Sequence, residues 1–324
     1  MYTHFMQYPI QVLLLVLSFI ISERPTYGQE AYQEKEVTLL NKSGTLFGTM
    51  TLPENADTST PVSLIIAGSG PTDRNGNNPM MTNNSLMMLA HRLAEKGIAS
   101  IRYDKRGVAA SHEAMSDESE LRFNDYVRDA VAWKEKITGE YQLGEFSVIG
   151  HSEGSLIGIE VATQTDIAKF ISIAGPAQSA DEMLRQQLAD QPDPIKNPSY
   201  QIIDSLAAGH RVQNVPSQLD ALFRPSVQPY LISWFGYNPQ NIIGHLDIPV
   251  LIVQGTTDIQ VSVAQAKMLS QSAAEGRLLI IEGMNHILKK APPQKTPNAM
   301  TYNQPNLPVV QEAVDGISAF ILSP

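Results

Sequence analysis

The chain has 324 residues, 43% of them hydrophobic, enough for one large core, so a single domain carrying an insertion is expected. A formal charge of −10 argues against nucleic acid or an anionic membrane surface as partner, and against a polyanionic substrate. With no cysteine, disulfides, thiolate metal sites and a cysteine nucleophile are all excluded.

Residues 10–21 form an almost unbroken apolar run, followed by Ser22-Glu23-Arg24-Pro25-Thr26-Tyr27-Gly28-Gln29. That run is short for a bilayer span but suits the core of a signal peptide. Thr26 and Gly28 are small enough to precede a cleavage site, with the mature chain starting near Gln29. The first nine residues lack Lys and Arg, so an uncleaved anchor is the alternative. The expectation is a signal peptide over 1–28, export to the periplasm or medium, and no integral membrane association after cleavage.

Residues 34–40 and 45–52 alternate apolar and polar side chains around Asn41-Lys42-Ser43-Gly44, which predicts an antiparallel hairpin. Residues 61–67 are continuously apolar, as in a strand buried on both faces. Helical spacing over 84–96 (Leu86, Leu89, Ala90, Leu93) stops at Gly97, and a strand over 98–103 follows. A helix is predicted over 123–137, then a strand from Phe146 to Ile149, a helix over 155–162 and a strand over 170–174. The C-terminal part predicts strands over 250–254 and 278–281, a helix over 263–273 between them, and a closing helix over 310–322. Such alternation means a mostly parallel sheet covered on both faces.

Residues 177–246 break the rhythm. They carry helix-like pieces over 181–188 and 200–208, with Pro192, Pro194, Pro198, Pro216, Pro225 and Pro229 as joints. A stretch that long without a strand is no ordinary connection and predicts a helical cap inserted over the sheet. Residues 289–308, with five prolines, read as an ordered surface loop.

Gly150-His151-Ser152-Glu153-Gly154, between predicted strand and helix, is a G-x-S-x-G nucleophile elbow. Strand and helix nearly touch there, so both flanking positions need glycine, and the serine hydroxyl projects above the sheet. An idle serine in a turn is the alternative. A serine nucleophile needs a base, and the base needs an acid, in the chain order Ser, Asp or Glu, His. Asp258 closes Gly255-Thr256-Thr257-Asp258 past one strand, and His286 closes Gly283-Met284-Asn285-His286 past the next. Both leave the sheet edge from which Ser152 projects, where open α/β sheets bind ligands. Among seven histidines only His286 stands at a strand end in the right order. Glu282 is the fallback acid, but it is too close along the chain. Oxyanion donors are expected from the backbone of Glu153 and from Gly68-Ser69-Gly70-Pro71, with Ser69 first and Gly70 second. No Walker-type loop, H-E-x-x-H or cysteine pair is present, so neither a cofactor nor a metal is expected. The charges in Arg102-Tyr103-Asp104-Lys105-Arg106-Gly107 predict a structural Asp–Arg pair, while Asp73 and Arg74 line the mouth or pair with each other.

With these residues placed, the chain resembles the α/β-hydrolases, and among them bacterial esterases of the esterase D or serine-aminopeptidase-like type. The matching stretches are Gly68 to Arg74, Tyr103 to Gly107, the elbow, Gly255 to Asp258 and Gly283 to His286, spread over nearly the whole mature chain. The resemblance implies an eight-stranded sheet with an inserted cap and a Ser152–Asp258–His286 triad acting on short acyl esters. It departs at Ala67, where many relatives have histidine, and at Ala109, where a glycine commonly follows the Arg-Gly pair by two. The expected partner is a small-molecule ester bound between sheet edge and cap, where Phe223, Tyr230, Trp234 and Phe235 are pocket candidates. The rivals are a thioesterase, a non-catalytic binder, and an aminopeptidase whose cap carboxylates (Asp181, Glu182, Asp190, Asp193, Asp204, Asp220) would grip a free amine. Nothing in the sequence speaks to oligomeric state.

Overall fold

The computed structural model describes residues 31–324, so the expected leader lies outside the described residues. β1 (Tyr32–Asn41) and β2 (Gly44–Pro53) form the predicted hairpin, whose turn is closed by Asn41 Oδ1 accepting from the Ser43 and Gly44 N–H groups. Then come β3 (Val62–Ile66), α1 (Ser85–Ala94), β4 (Ala99–Tyr103), α2 (Phe123–Glu140), β5 (Phe146–His151), α3 (Glu153–Gln164) and β6 (Lys169–Ile173). Residues 177–246 hold no strand but five α-helices, α4 (Ala180–Leu188), α5 (Asp193–Ala207), α6 (Asp220–Phe223), α7 (Gln228–Phe235) and α8 (Pro239–Ile243), with one 3-10 turn at Ser217–Leu219. β7 (Val250–Gly255), α9 (Val263–Ser272), β8 (Gly276–Ile281), α10 (Lys295–Met300) and α11 (Gln311–Leu322) complete the chain.

The eight strands make one sheet in the order β1-β2-β4-β3-β5-β6-β7-β8. Pairing is parallel from β4 to β8 and antiparallel at β1–β2 and β2–β4. Side chains alternate across each strand, so neighbours in sequence enter different cores. Leu64, Val148, Phe170 and Ile252 face the core shared with α2, α3, α9 and the 177–246 helices. Ile65, Ile149, Ile171 and Val253 face the one closed by α1 and α11. Two-sided burial explains why the central strands read as unbroken apolar runs.

Two expectations are corrected. Pro194 and Pro198 are not joints: α5 starts at Asp193, holds Pro194 in its first turn and continues through Pro198. A proline in the first turn removes an N–H that has no helical partner anyway, and Pro198 forfeits one bond. Burial of Ile202, Ile203 and Leu206 on one face of the helix offsets that loss. Residues 289–308 are likewise more than a surface loop, because they contain α10, and Lys289 and Asn298 are fully buried. The Asn298 amide donates to the Thr257 carbonyl at 2.7 Å, while Asn285 Nδ2 donates to Thr301 Oγ1 at 2.8 Å. The segment therefore braces both loops that follow β7 and β8.

Ala109, where the resemblance leads one to expect glycine, has φ +44° and is exposed. A left-handed backbone costs an L-residue roughly 1–2 kcal/mol, partly offset in glycine by its larger unfolded-state entropy. Ala109→Gly should therefore stabilise the protein by about 0.5–1 kcal/mol in urea unfolding, whereas an unchanged or lower midpoint would contradict the strain.

Candidate active site

The elbow is built by steric necessity. A Cβ on Gly150 would collide with the Gly154 carbonyl, and one on Gly154 with the Ile66 carbonyl, so β5, β3 and α3 meet only through glycine. The crossing forces Ser152 to φ 55° and ψ −119°, outside the regions a serine ordinarily occupies. Its N–H still donates to Ile173 O of β6 at 2.9 Å, which anchors the strained residue to the sheet.

Asp258 and His286 follow β7 and β8, and the loops that carry them are laced together. Thr256 N–H donates to Ile281 O at 3.0 Å, Thr257 N–H to Met284 O at 3.1 Å, and Gly283 N–H to Thr256 Oγ1 at 2.8 Å. His286 Nδ1 lies 2.8 Å from Asp258 Oδ2. An ionised carboxylate only accepts, so Nδ1 carries the proton and Nε2 is left as the basic nitrogen. Burial pushes the Asp258 carboxyl up, but His286 and the Val261 and Gln260 N–H groups outweigh it and hold the group below the usual carboxylate range. Gln254 Nε2 adds a donor to Asp258 Oδ2 at 3.0 Å. Among the described residues no hydrogen bond or ion pair joins Glu282 to His286, and the Glu282 carbonyl accepts from Lys290 Nζ.

Ser152 and His286 line one cavity of about 200 Å³ with Gly68, Ser69 and Gln260. Among the described residues no hydrogen bond joins the Ser152 hydroxyl to the imidazole. Asp258 and His286 are thus bonded directly, and Ser152 meets them across a shared space. The 68–70 loop crosses beside the serine, since a Cβ on Gly68 would lie 3.2 Å from Ser152 Cβ. Among the described residues, neither the Ser69 N–H nor the Glu153 N–H has a hydrogen-bond partner. Gly70, with φ +68°, turns the chain away after them.

The sequence reading passed over a buried network under this loop. Lys105 Nζ donates to Gly68 O at 2.6 Å and to Glu153 Oε2 at 2.7 Å, with both charged side chains about 1% exposed. The Tyr230 hydroxyl, on α7, donates to the other Glu153 oxygen, and Lys105 Nζ sits 4.8 Å from the Tyr126 ring centroid. A glutamate at an elbow position that must be buried implies a cation nearby, and that was the available signal.

The other charges near the strand ends pair across the fold. Arg74 binds Asp104 at 3.1 Å and Glu36 at 3.2 Å rather than Asp73, whose Oδ1 accepts from the Asn75 and Asn77 N–H groups of its own turn. Arg102 binds Glu34, and Arg106 binds Asp129. A cavity of about 470 Å³ beside Arg74 and Arg102 does not include Ser152. Of the aromatic pocket candidates, Tyr230 and Trp234 line a cavity of about 320 Å³ that opens at Ser152. Phe223 and Phe235 are buried in the core and line neither cavity at Ser152.

His151 is buried between the elbow and the His286 loop, with its Nε2 donating to His286 O at 2.8 Å. Burial, then the neighbouring His286, push it down from 6.5 to about 4. The folded state resists protonating it, so its share of stability is complete above about pH 6.5 and is lost as pH falls toward 4. Between pH 7.5 and 4.5 the native protein should lose about 2–3 kcal/mol more than His151→Asn in urea unfolding. Equal losses would place the ring in a polar environment instead.

A mostly parallel eight-stranded sheet with a serine held at positive φ between β5 and α3 is the architecture of the α/β-hydrolase fold. A family model described as serine aminopeptidase, S33, matches residues 82–224. Esterase EstD of Thermotoga maritima is 24% identical over 289 residues, covering 85% of this chain and 65% of that protein's length. An (E)-2-((N-methylformamido)methylene)succinate hydrolase of Acinetobacter baylyi is 21% identical, covering 54% of this chain and 70% of that one. Among solved structures, Est1E from Butyrivibrio proteoclasticus superposes with TM-score 0.61 at 17% identity, over 89% of this chain and 99% of that chain. The Pyrococcus furiosus esterase Pf2001 does so with TM-score 0.57 at 14% identity, over 90% and 91%. The chain has the α/β-hydrolase fold and is similar to proteins described as esterases.

Proposed function

We propose that this α/β-hydrolase cleaves carboxylic esters with Ser152 as nucleophile, His286 as base and Asp258 as its orienting acid. The observation that carries the reading is an imidazole bonded to Asp258 through Nδ1 in the same cavity as a strained serine. Ser152 Oγ attacks the acyl carbon as its proton passes to His286 Nε2, and the Ser69 and Glu153 N–H groups stabilise the oxyanion, with Gly70 N–H beside them. The proton then goes to the leaving alcohol, and water activated by His286 releases the acid. The serine–histidine hydrogen bond characteristically tightens only as substrate enters. The relative named esterase EstD supports ester hydrolysis. The apolar run over 10–21 with Thr26 and Gly28 supports export behind a cleaved leader.

The match to the serine aminopeptidase model favours a second reading, amide cleavage next to a free amine. That reading needs an available carboxylate at the site. None of Asp181, Glu182, Asp190, Asp193, Asp204 and Asp220 lines the cavities at Ser152, and Glu153 is already bound by Lys105 and Tyr230. Ester cleavage is therefore favoured. The test pairs fluorophosphonate labelling with turnover of p-nitrophenyl acetate and of aminoacyl-p-nitroanilides. Labelling at Ser152 with the ester preferred is expected, and faster anilide cleavage would establish the peptidase. No labelling of folded protein would leave a binding module.

A further inference from the structure

Two cavities of different lining meet at Ser152. The one of about 200 Å³ that holds His286 is lined by Thr72, Asn78, Ser85 and Gln260 beside Met81 and Ile287, and has no Asp, Glu, Lys or Arg in its wall. The one of about 320 Å³ is walled mainly by Leu156, Met183, Leu184, Leu231 and Trp234, with Gln178 and Gln187 also in its lining. Its two charged side chains are neutralised already, Glu153 by Lys105 and Arg224 by Glu118. Neither space offers a free charge to a substrate.

The position of the imidazole gives the pair a direction. The group that returns the proton must lie within a hydrogen bond of the leaving oxygen. His286 lines the polar cavity and not the apolar one, so the alcohol leaves into the polar cavity and the acyl chain occupies the other. Ser85 Oγ and Asn78 Nδ2, which line this cavity and not the other, have no partner among the described residues, although Asn78 Oδ1 is engaged. Hydroxyls of an alcohol would meet those atoms, whereas an alkyl chain there would leave them unsatisfied. On the acyl side an alkyl chain matches the mainly apolar wall better than a polyol does.

We infer that the substrate is an uncharged ester of an apolar acyl group with a polyhydroxylated alcohol, its chain lying against α4 and α7 and its alcohol against the 68–70 loop. This rests on the ester-hydrolase reading above. The Ser152 Oγ–acyl bond forms as the ester C–O bond breaks, and the alcohol oxygen takes the proton from His286 Nε2. Water then supplies hydroxyl to the acyl carbon and a proton back to Ser152.

The test uses two isomeric esters, 1-monohexanoylglycerol and hexyl glycerate, which exchange the polar and apolar halves about one carbonyl. The full-length protein should cleave monohexanoylglycerol with kcat/KM at least tenfold higher, although the α-hydroxyl of glycerate activates the other carbonyl. In Leu184→Trp the ratio of hexanoyl- to acetylglycerol turnover should fall at least tenfold. Equal or reversed preference, an unchanged ratio in Leu184→Trp, or no cleavage of either isomer while p-nitrophenyl acetate turns over would overturn this assignment alone. Loss of all ester turnover together with absent fluorophosphonate labelling of Ser152 would overturn the reading beneath it.

Discussion

Ser152→Ala is expected to lower ester turnover at least about a thousandfold and to leave the fold intact. In the proposed mechanism the hydroxyl forms the covalent bond, and no other side chain at the elbow can supply it. A thousandfold corresponds to about 4 kcal/mol of transition-state stabilisation, far more than a shifted contact would cost. Stability should hardly change, because the Ser152 hydroxyl has no hydrogen bond among the described residues and alanine strands no buried partner. The positive φ is set by Gly150 and Gly154 on either side, so it strains both residues alike. The Glu153 and Ser69 N–H groups survive, and a small residual rate over water should survive with them. Steady-state kinetics beside a urea titration separates the two effects. A variant that keeps a tenth of the rate would exclude the acyl-enzyme route.

The same residues show what sequence could reveal. Gly150 and Gly154 were legible because a local steric demand dictates them, and Asp258 and His286 because each follows an apolar strand run and leaves the same edge of one sheet, although β8, unlike β7, is only partly buried. Strand order did the rest, since β5, β6, β7 and β8 are neighbours in chain order and in space. The run from Arg102 to Arg106 was not legible in this way. Its partners, Glu34, Arg74, Glu153 and Asp129, come from four other places in the fold, 23 to 68 residues away. No periodicity encodes which of them a given charge will meet. Pro198 misled for the opposite reason: a local rule predicted a break, and burial along the face of α5 overrode it. Asn298 was hidden because its role depends on loops more than ten residues away in sequence.

Lys105→Met is expected to cost about 3–5 kcal/mol of stability and about ten- to a hundredfold in kcat. The stability loss follows from burial, because removing the cation leaves the Glu153 carboxylate uncompensated at about 1% exposure, with only Tyr230 still donating to it. The rate loss has a separate cause. Lys105 Nζ also holds the Gly68 carbonyl at 2.6 Å, and in the proposed mechanism the next peptide presents the Ser69 N–H to the oxyanion. Released from that tether, the loop can move, and an error of about 1 Å in a catalytic group is enough for such a loss. Glu153→Gln tells the causes apart. It breaks the ion pair but keeps the Lys105–Gly68 hydrogen bond, so its stability should fall by a comparable amount while kcat falls much less. In the double variant the stability losses should not add, since the pair is then removed as a unit. If Lys105→Met and Glu153→Gln lowered kcat equally, Lys105 would be a structural charge and nothing more. If KM rose with kcat unchanged, the tether would serve binding rather than the oxyanion.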